Sequence, residues 1–114
     1  MMTFYDETHM KSLREAFEKE VLPWENIEQK KMFGCPCVKA AGKLFAFLVN
    51  DGIVLTKLTE EQRNKALKTL GGGPFKTPSR TMKKWTLIPF TNIKDLEPIL
   101  DYIRLSYENV LKIT

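Results

Sequence analysis

Residues 43–55 read Lys43-Leu44-Phe45-Ala46-Phe47-Leu48-Val49-Asn50-Asp51-Gly52-Ile53-Val54-Leu55. Two apolar runs of strand length flank an Asp-Gly pair, and Asp-Gly in that setting favours a two-residue hairpin with positive backbone angles. The first run is apolar at every position from Leu44 to Val49. Strand alternation assigns Leu44, Ala46 and Leu48 to one face and Phe45, Phe47 and Val49 to the other. Helices packed on a two-layer sheet cover one face of it. The other face is then wrapped by the first helix or the termini, or it is an exposed patch of the kind that marks an interface.

Upstream of this hairpin, Glu28–Phe33 and Val38–Ala41 also read as strands, and the two are readable as one bent strand. Gly42 allows a tight turn into Lys43. Asp6–Leu22 reads as a helix, because Met10, Leu13, Phe17 and Val21 recur at three- and four-residue spacing. Pro23 stops it. Downstream, Thr59-Glu60-Glu61-Gln62 has the spacing of a capping box. The helix it opens carries Ala66, Leu67 and Leu70 and runs into Gly71-Gly72-Gly73-Pro74. That tetrapeptide lacks the Lys-Ser/Thr of a phosphate loop and follows a helix where such a loop precedes one, so it reads as a helix stop.

A short extended piece at Phe75 and a strand over Met82–Pro89 come next. In the last helix Leu96, Ile99, Leu100, Ile103, Tyr107, Val110 and Leu111 form one stripe behind an Asn92 cap. The order is α-β-β-β-α-β-β-α, and the fold class is α+β: two layers, an antiparallel sheet with helices mainly on one face.

The 114 residues suit one domain, 1–114, and 43% hydrophobic with 28% charged is the balance of a folded globule. The formal charge is +4, from 18 basic and 14 acidic residues. Lys76, Arg80, Lys83 and Lys84 lie between Phe75 and Phe90 with no acid among them, so the remaining 14 basic residues balance the 14 acidic ones. The whole surplus belongs to one stretch. Leu44–Val49 is the longest apolar run and falls far short of the ~20 residues that span a bilayer, so no membrane association is expected. Met1–Met10 has no basic start followed by an apolar stretch, so no secretory leader is expected there. Cys35 and Cys37, one residue apart, cannot staple distant parts of a fold, which points to a reducing, cytoplasmic setting.

Cys35-Pro36-Cys37 offers two thiolates where a structural zinc wants four ligands, and its spacing is one short of the Cys-x-x-Cys redox pattern. The plain reading is a buried, apolar Cys37 and an incidental thiol at Cys35, with no metal and no cofactor. His9 is the lone histidine and the only base a cysteine nucleophile could use, and no carboxylates pair on neighbouring strand positions. Enzymatic activity is not expected.

The basic stretch interleaves its cations with Phe75 and Trp85, which suits phosphate neutralisation with base stacking. Alternation puts Lys83 and Trp85 on one strand face and Lys84 on the other, so the charges diverge. The plainer reading is a solvated edge hairpin with Trp85 packed under the last helix.

From Met32 onward the chain resembles a known family. Met32-Phe33-Gly34-Cys35-Pro36-Cys37, Gly42-Lys43-Leu44-Phe45-Ala46, Asp51-Gly52-Ile53-Val54-Leu55 and Thr59-Glu60-Glu61-Gln62-Arg63 are similar to segments of the N-terminal domain of TfoX, the competence regulator. Gly73-Pro74-Phe75 and Met82-Lys83-Lys84-Trp85-Thr86-Leu87-Ile88-Pro89 continue the likeness, over about 80 of the 114 residues. Met82–Trp85 and Leu105-Ser106-Tyr107-Glu108 more distantly resemble YjbR-like proteins. The resemblance implies the same two-layer fold and supplies no established catalytic residues. Full-length TfoX proteins carry a second domain for which these 114 residues leave no room, so a role needing that domain is not expected.

The function expected is a non-catalytic regulatory or protein-interaction module. A protein partner or second copy would dock on the apolar sheet face at Phe45, Phe47 and Val49. The alternative is weak nucleic-acid binding through Lys76, Arg80, Lys83, Lys84 and Trp85.

Overall fold

The computed structural model describes residues 4–112. The first three residues of the stretch read for a leader lie outside them. Helix α1 (Glu7–Val21) is capped by Asp6, whose carboxylate accepts from the Thr8 N–H, and it buries Met10, Leu13, Phe17 and Val21. Four strands follow: β1 (Ile27–Met32), β2 (Cys35–Ala40), β3 (Lys43–Val49) and β4 (Gly52–Leu55). Helix α2 (Glu60–Leu70) opens with the expected reciprocal Thr59–Gln62 capping box. Strands β5 (Gly73–Lys76) and β6 (Thr81–Pro89), a short 3-10 turn at Ile93–Asp95 and helix α3 (Leu96–Lys112) complete the order. The strands form one antiparallel six-stranded sheet in the order β1-β2-β3-β4-β6-β5. The α+β class and the sequence of elements are as read, with the segment readable as one bent strand resolved into β1 and β2.

Two tight turns set that meander. Phe33-Gly34 and Ala41-Gly42 each have both residues at positive φ, 53° and 78° in the first and 50° and 78° in the second. Such turns match the right-handed twist of paired strands. At the β3–β4 turn the roles differ from the Asp-Gly expectation. Asn50 and Asp51 make the turn, with Asp51 at φ 58°, and Gly52 already pairs with Val49 and Pro89. A Cβ on Gly52 would sit 2.6 Å from the end of the Leu87 side chain, which would have to turn aside. Gly72 is the stricter case: at φ 100°, its Cβ would fall 2.0 Å from the Leu87 carbonyl oxygen, so only glycine lets the backbone approach β6 there.

The β2–β3 register slips between Val38 and Lys39. Cys37 faces Phe47 and Val38 faces Ala46, but Lys39 faces Leu44, leaving Phe45 as an extra residue in the ladder. A bulge of this kind resets the alternation. Phe45 therefore turns to the helix side with Ala46 and Leu48, its ring 5.4 Å from that of Tyr107 on α3. Leu44, Phe47 and Val49 share the opposite face. The assignment of Phe45 to the open face is corrected by that single inserted residue.

The bulge frees the Phe45 carbonyl, and α3 supplies its partner. The fully buried Ser106 hydroxyl donates to it at 2.7 Å while accepting from the Lys57 N–H at 3.1 Å. Thr56 N–H also reaches the same carbonyl at 3.2 Å. Asn109 Nδ2 donates to the Lys57 carbonyl and the Tyr107 hydroxyl to that of Glu25, each at 2.7 Å. Helix α3 is thus fixed in rotation as well as buried through Leu96, Ile99, Ile103, Tyr107 and Val110. Leu100 and Leu111 flank that stripe half-buried, while Tyr102 and Ser106 turn inward. Side chains of all three helices belong to the core on this one side of the sheet.

A candidate binding groove on the open sheet face

The second face carries a smaller core of its own: Cys35, Cys37, Phe47, Val49, Val54 and Phe75. Its shape comes from curvature. Strands β3 and β5 are three places apart, which in a flat sheet is about 14 Å. Yet the rings of Phe47 and Phe75 meet edge-to-face at 5.4 Å, and Trp85 packs on both, 5.6 Å from Phe47 and 6.2 Å from Phe75. The sheet curls toward this side and makes it concave.

Part of the concavity is filled by Phe4, whose ring lies 6.1 Å from that of Phe75 and whose carbonyl accepts from the Asn50 N–H. The rest is an open groove of about 440 Å³, within the range of ordinary ligand pockets. Phe47 and Phe75 form its floor and half-buried Met32, Met82 and Trp85 its walls. Phe33 stands on one lip and the Thr77–Arg80 loop on the other. Phe33 is 80% exposed. It also holds φ 53°, a left-handed conformation that bulky side chains seldom adopt.

The two candidate regions read as rivals in the sequence thus meet in one place. Phe47 from the apolar strand and Arg80 and Trp85 from the basic hairpin line the same groove. Trp85 is on this face with Leu87, as alternation from the helix-facing Ile88 requires, and so does not pack under the last helix. Below it the β5–β6 register shifts, Pro74 pairing with Thr86 but Phe75 with Met82. Lys83 and Lys84 fall inside the shift, and Met82 and Trp85 both turn inward. Lys83 does not share Trp85's face; it borders a shallow cleft with Glu60, Arg63 and Asn64 of α2. Lys76, Arg80, Lys83 and Lys84 are all exposed, and none forms an ion pair among the described residues. Val49 lies on the concave face and outside the groove, and Phe45 is under α3.

Both thiols are buried in the concave core and free. Burial, and then the neighbouring Cys37, pushes the Cys35 thiol up to about 11. Burial raises Cys37 as well, against a smaller opposing pull from Lys39 and Lys30. At neutral pH both therefore behave as small apolar side chains. Among the described residues no three His, Cys, Asp or Glu side chains gather as metal ligands. His9 is engaged elsewhere, 2.7 Å from Asp51 at the β3–β4 turn.

A larger cleft of about 780 Å³ between α1 and the β1–β2 hairpin is lined by several charged and polar side chains, of which Tyr5, Glu7, Arg14, Glu18 and Gln29 bond one another. Arg14 grips Glu7 through Nε and Nη2 and Glu18 through Nη1, Glu7 accepts from the Tyr5 hydroxyl, and Glu18 accepts from Gln29. This chain of bonds ties the N-terminal segment to α1 and β1. The Arg14 fork, with the Tyr5 hydroxyl, holds the Glu7 carboxyl down to about 2.

Met32, Phe33 and Met82 were not singled out as groove residues by composition or spacing. Gly34 was the one available signal, since a glycine at a strand end invites a turn, but nothing in Phe33 itself announces a left-handed residue.

Among the described residues, no helix is long and apolar enough to cross a membrane. The chemistry of the groove and the curled six-stranded sheet define a class: an α+β domain with helices on one face and an apolar, aromatic-lined recess on the other. The TfoX N-terminal domain family matches residues 19–110, and the chain belongs to that family. It is not a known enzyme family. No curated protein matches the chain.

Proposed function

We propose that this domain is a non-catalytic protein-interaction module of a regulatory, cytoplasmic system, and that its groove receives an apolar segment of a partner protein. The observation that carries this reading is the groove itself, with an aromatic floor and an exposed Phe33 on its lip. A solvent-exposed aromatic in a costly backbone conformation beside an apolar recess is the kind of feature that binding retains and folding does not require. Of the four cations only Arg80 lines the groove with Trp85, and Lys83 borders α2 instead, which disfavours nucleic-acid binding because phosphate neutralisation along stacking rings needs several cations on one track.

The test is affinity capture from the native host by the wild-type chain, Phe33→Ser and Ile93→Ser. Ile93 is also exposed, at 53%, and lies outside the groove. A nuclease-resistant partner retained by wild type and Ile93→Ser but lost by Phe33→Ser supports the reading. Identical capture by all three sinks it.

A further inference from the structure

Resting on that reading, we infer that the groove's occupant is an acidic segment: one or two large apolar side chains flanked by aspartate or glutamate. Charge complementarity carries the inference. The four cations of residues 75–90 account for the chain's whole net charge; the turn of this hairpin, with Arg80, builds one lip of the groove, while Lys83 borders α2 on the other face. Arg80 lines it directly, and the exposed Lys76 lies across the Thr77–Arg80 turn, with its neighbour Thr77 donating to and accepting from Arg80's backbone. Among the described residues no carboxylate lines the groove, and Arg80 is in no ion pair. The Thr77 and Ser79 hydroxyls on the same lip add donors beside that cation.

An apolar recess with an uncompensated cation at its mouth favours a ligand that is apolar in the middle and anionic at its edge. A second copy of this chain fits less well. A two-fold contact centred on the groove would set the same basic lip against itself.

The probes are three fluorescein-labelled twelve-residue peptides: a Leu-Trp-Leu centre flanked by glutamates, the same centre flanked by lysines, and glutamates alone. Each is titrated by anisotropy against the wild-type chain, Arg80→Glu and Phe33→Ser. Both substitutions are at exposed positions, and circular dichroism checks that the folds are kept. The acidic amphipathic peptide is expected to bind at least tenfold more tightly than its lysine counterpart. It should weaken about fivefold to tenfold with Arg80→Glu, and weaken further as salt rises. It should also weaken with Phe33→Ser, while glutamates alone bind poorly to every form.

Equal binding of the acidic and basic peptides overturns the inference, and so does binding of neither. If host capture still depends on Phe33 in those cases, the interaction reading stands and only the charge assignment falls. Glutamates alone binding as well as the amphipathic peptide also overturns it, by making the site a plain anion patch. Displacement of the peptide by decanoate at comparable concentration does the same, in favour of a small amphiphile. Sedimentation showing a dimer that Arg80→Glu strengthens would give the groove to a second copy.

Discussion

At the scale of single residues, Phe33 holds the sharpest conflict between folding and exposure. It sits at φ 53° in a two-residue turn where asparagine is the favoured occupant, and 80% of it faces solvent. The fold gains little from the ring and bears the cost of a bulky left-handed residue, on the order of 1 kcal/mol. Phe33→Asn is therefore expected to raise unfolding stability by roughly 1 kcal/mol in urea denaturation while weakening groove binding. A loss of stability would show that the ring is a packing element and remove the strain argument. Ser106 is the opposite case. Its one hydroxyl joins the bulged strand, the loop after β4 and α3, and nothing in a helix pattern marks a serine for that position.

At the scale of elements, β3 shows how far periodicity reaches. The strand, Lys43–Val49, takes in the whole of the apolar run Leu44–Val49. Its two faces were misassigned at Phe45, since counting by twos assumes an unbroken ladder and the inserted residue becomes visible only in the pairing with β2. Strand β6 repeats the lesson through the shift that brings Met82 onto Trp85's face and takes Lys83 off it. The capping box of α2 was legible because its signal is local, four consecutive residues satisfying each other.

The corrected face of β3 can be read out optically, because each of the two tryptophans reports on one side of the sheet. Trp85 touches Phe47, whereas Trp24 stacks on Tyr107, which touches Phe45. With Trp24→Phe leaving Trp85 as the sole reporter, Phe47→Leu should shift its emission and Phe45→Leu should leave it unchanged. Equal responses to the two changes would mean that uninterrupted alternation was right and the bulge is absent.

At the scale of the whole molecule, folding stability should follow a pH profile set at three places: Glu7, His9 and the buried thiols. Glu7 is held down to about 2 from 4.5 by Arg14 and the Tyr5 hydroxyl. A depressed carboxyl contributes stability above its unfolded value and loses it as pH falls through the folded one, so an acid limb runs from about 4.5 to about 2. His9 is raised above 6.5, first by its hydrogen bond to Asp51 and then by that carboxylate's charge. Its contribution is present below 6.5 and fades as pH rises through the raised value. Because both groups are exposed, these two steps are small and shrink with added salt.

The thiols supply the alkaline limb. Cys35 moves from 9.0 to about 11 by burial and by Cys37, so stability is full below 9 and falls between 9 and about 11 as the unfolded chain ionises first. The maximum is therefore expected between pH 5 and 6.5, below the sequence pI near 9.1. Thermal melts by circular dichroism from pH 2 to 11 trace the profile. Three variants assign its parts: Glu7→Gln should flatten the acid limb, His9→Gln the step just above pH 6.5, and the double change Cys35→Ala/Cys37→Ala the thiol part of the alkaline limb, which burial of Tyr5 continues at higher pH. An alkaline limb that the double change leaves unaltered would place both thiols in contact with water, and with them the floor of the groove. The concave face would then be a wet surface, too open to hold an apolar segment.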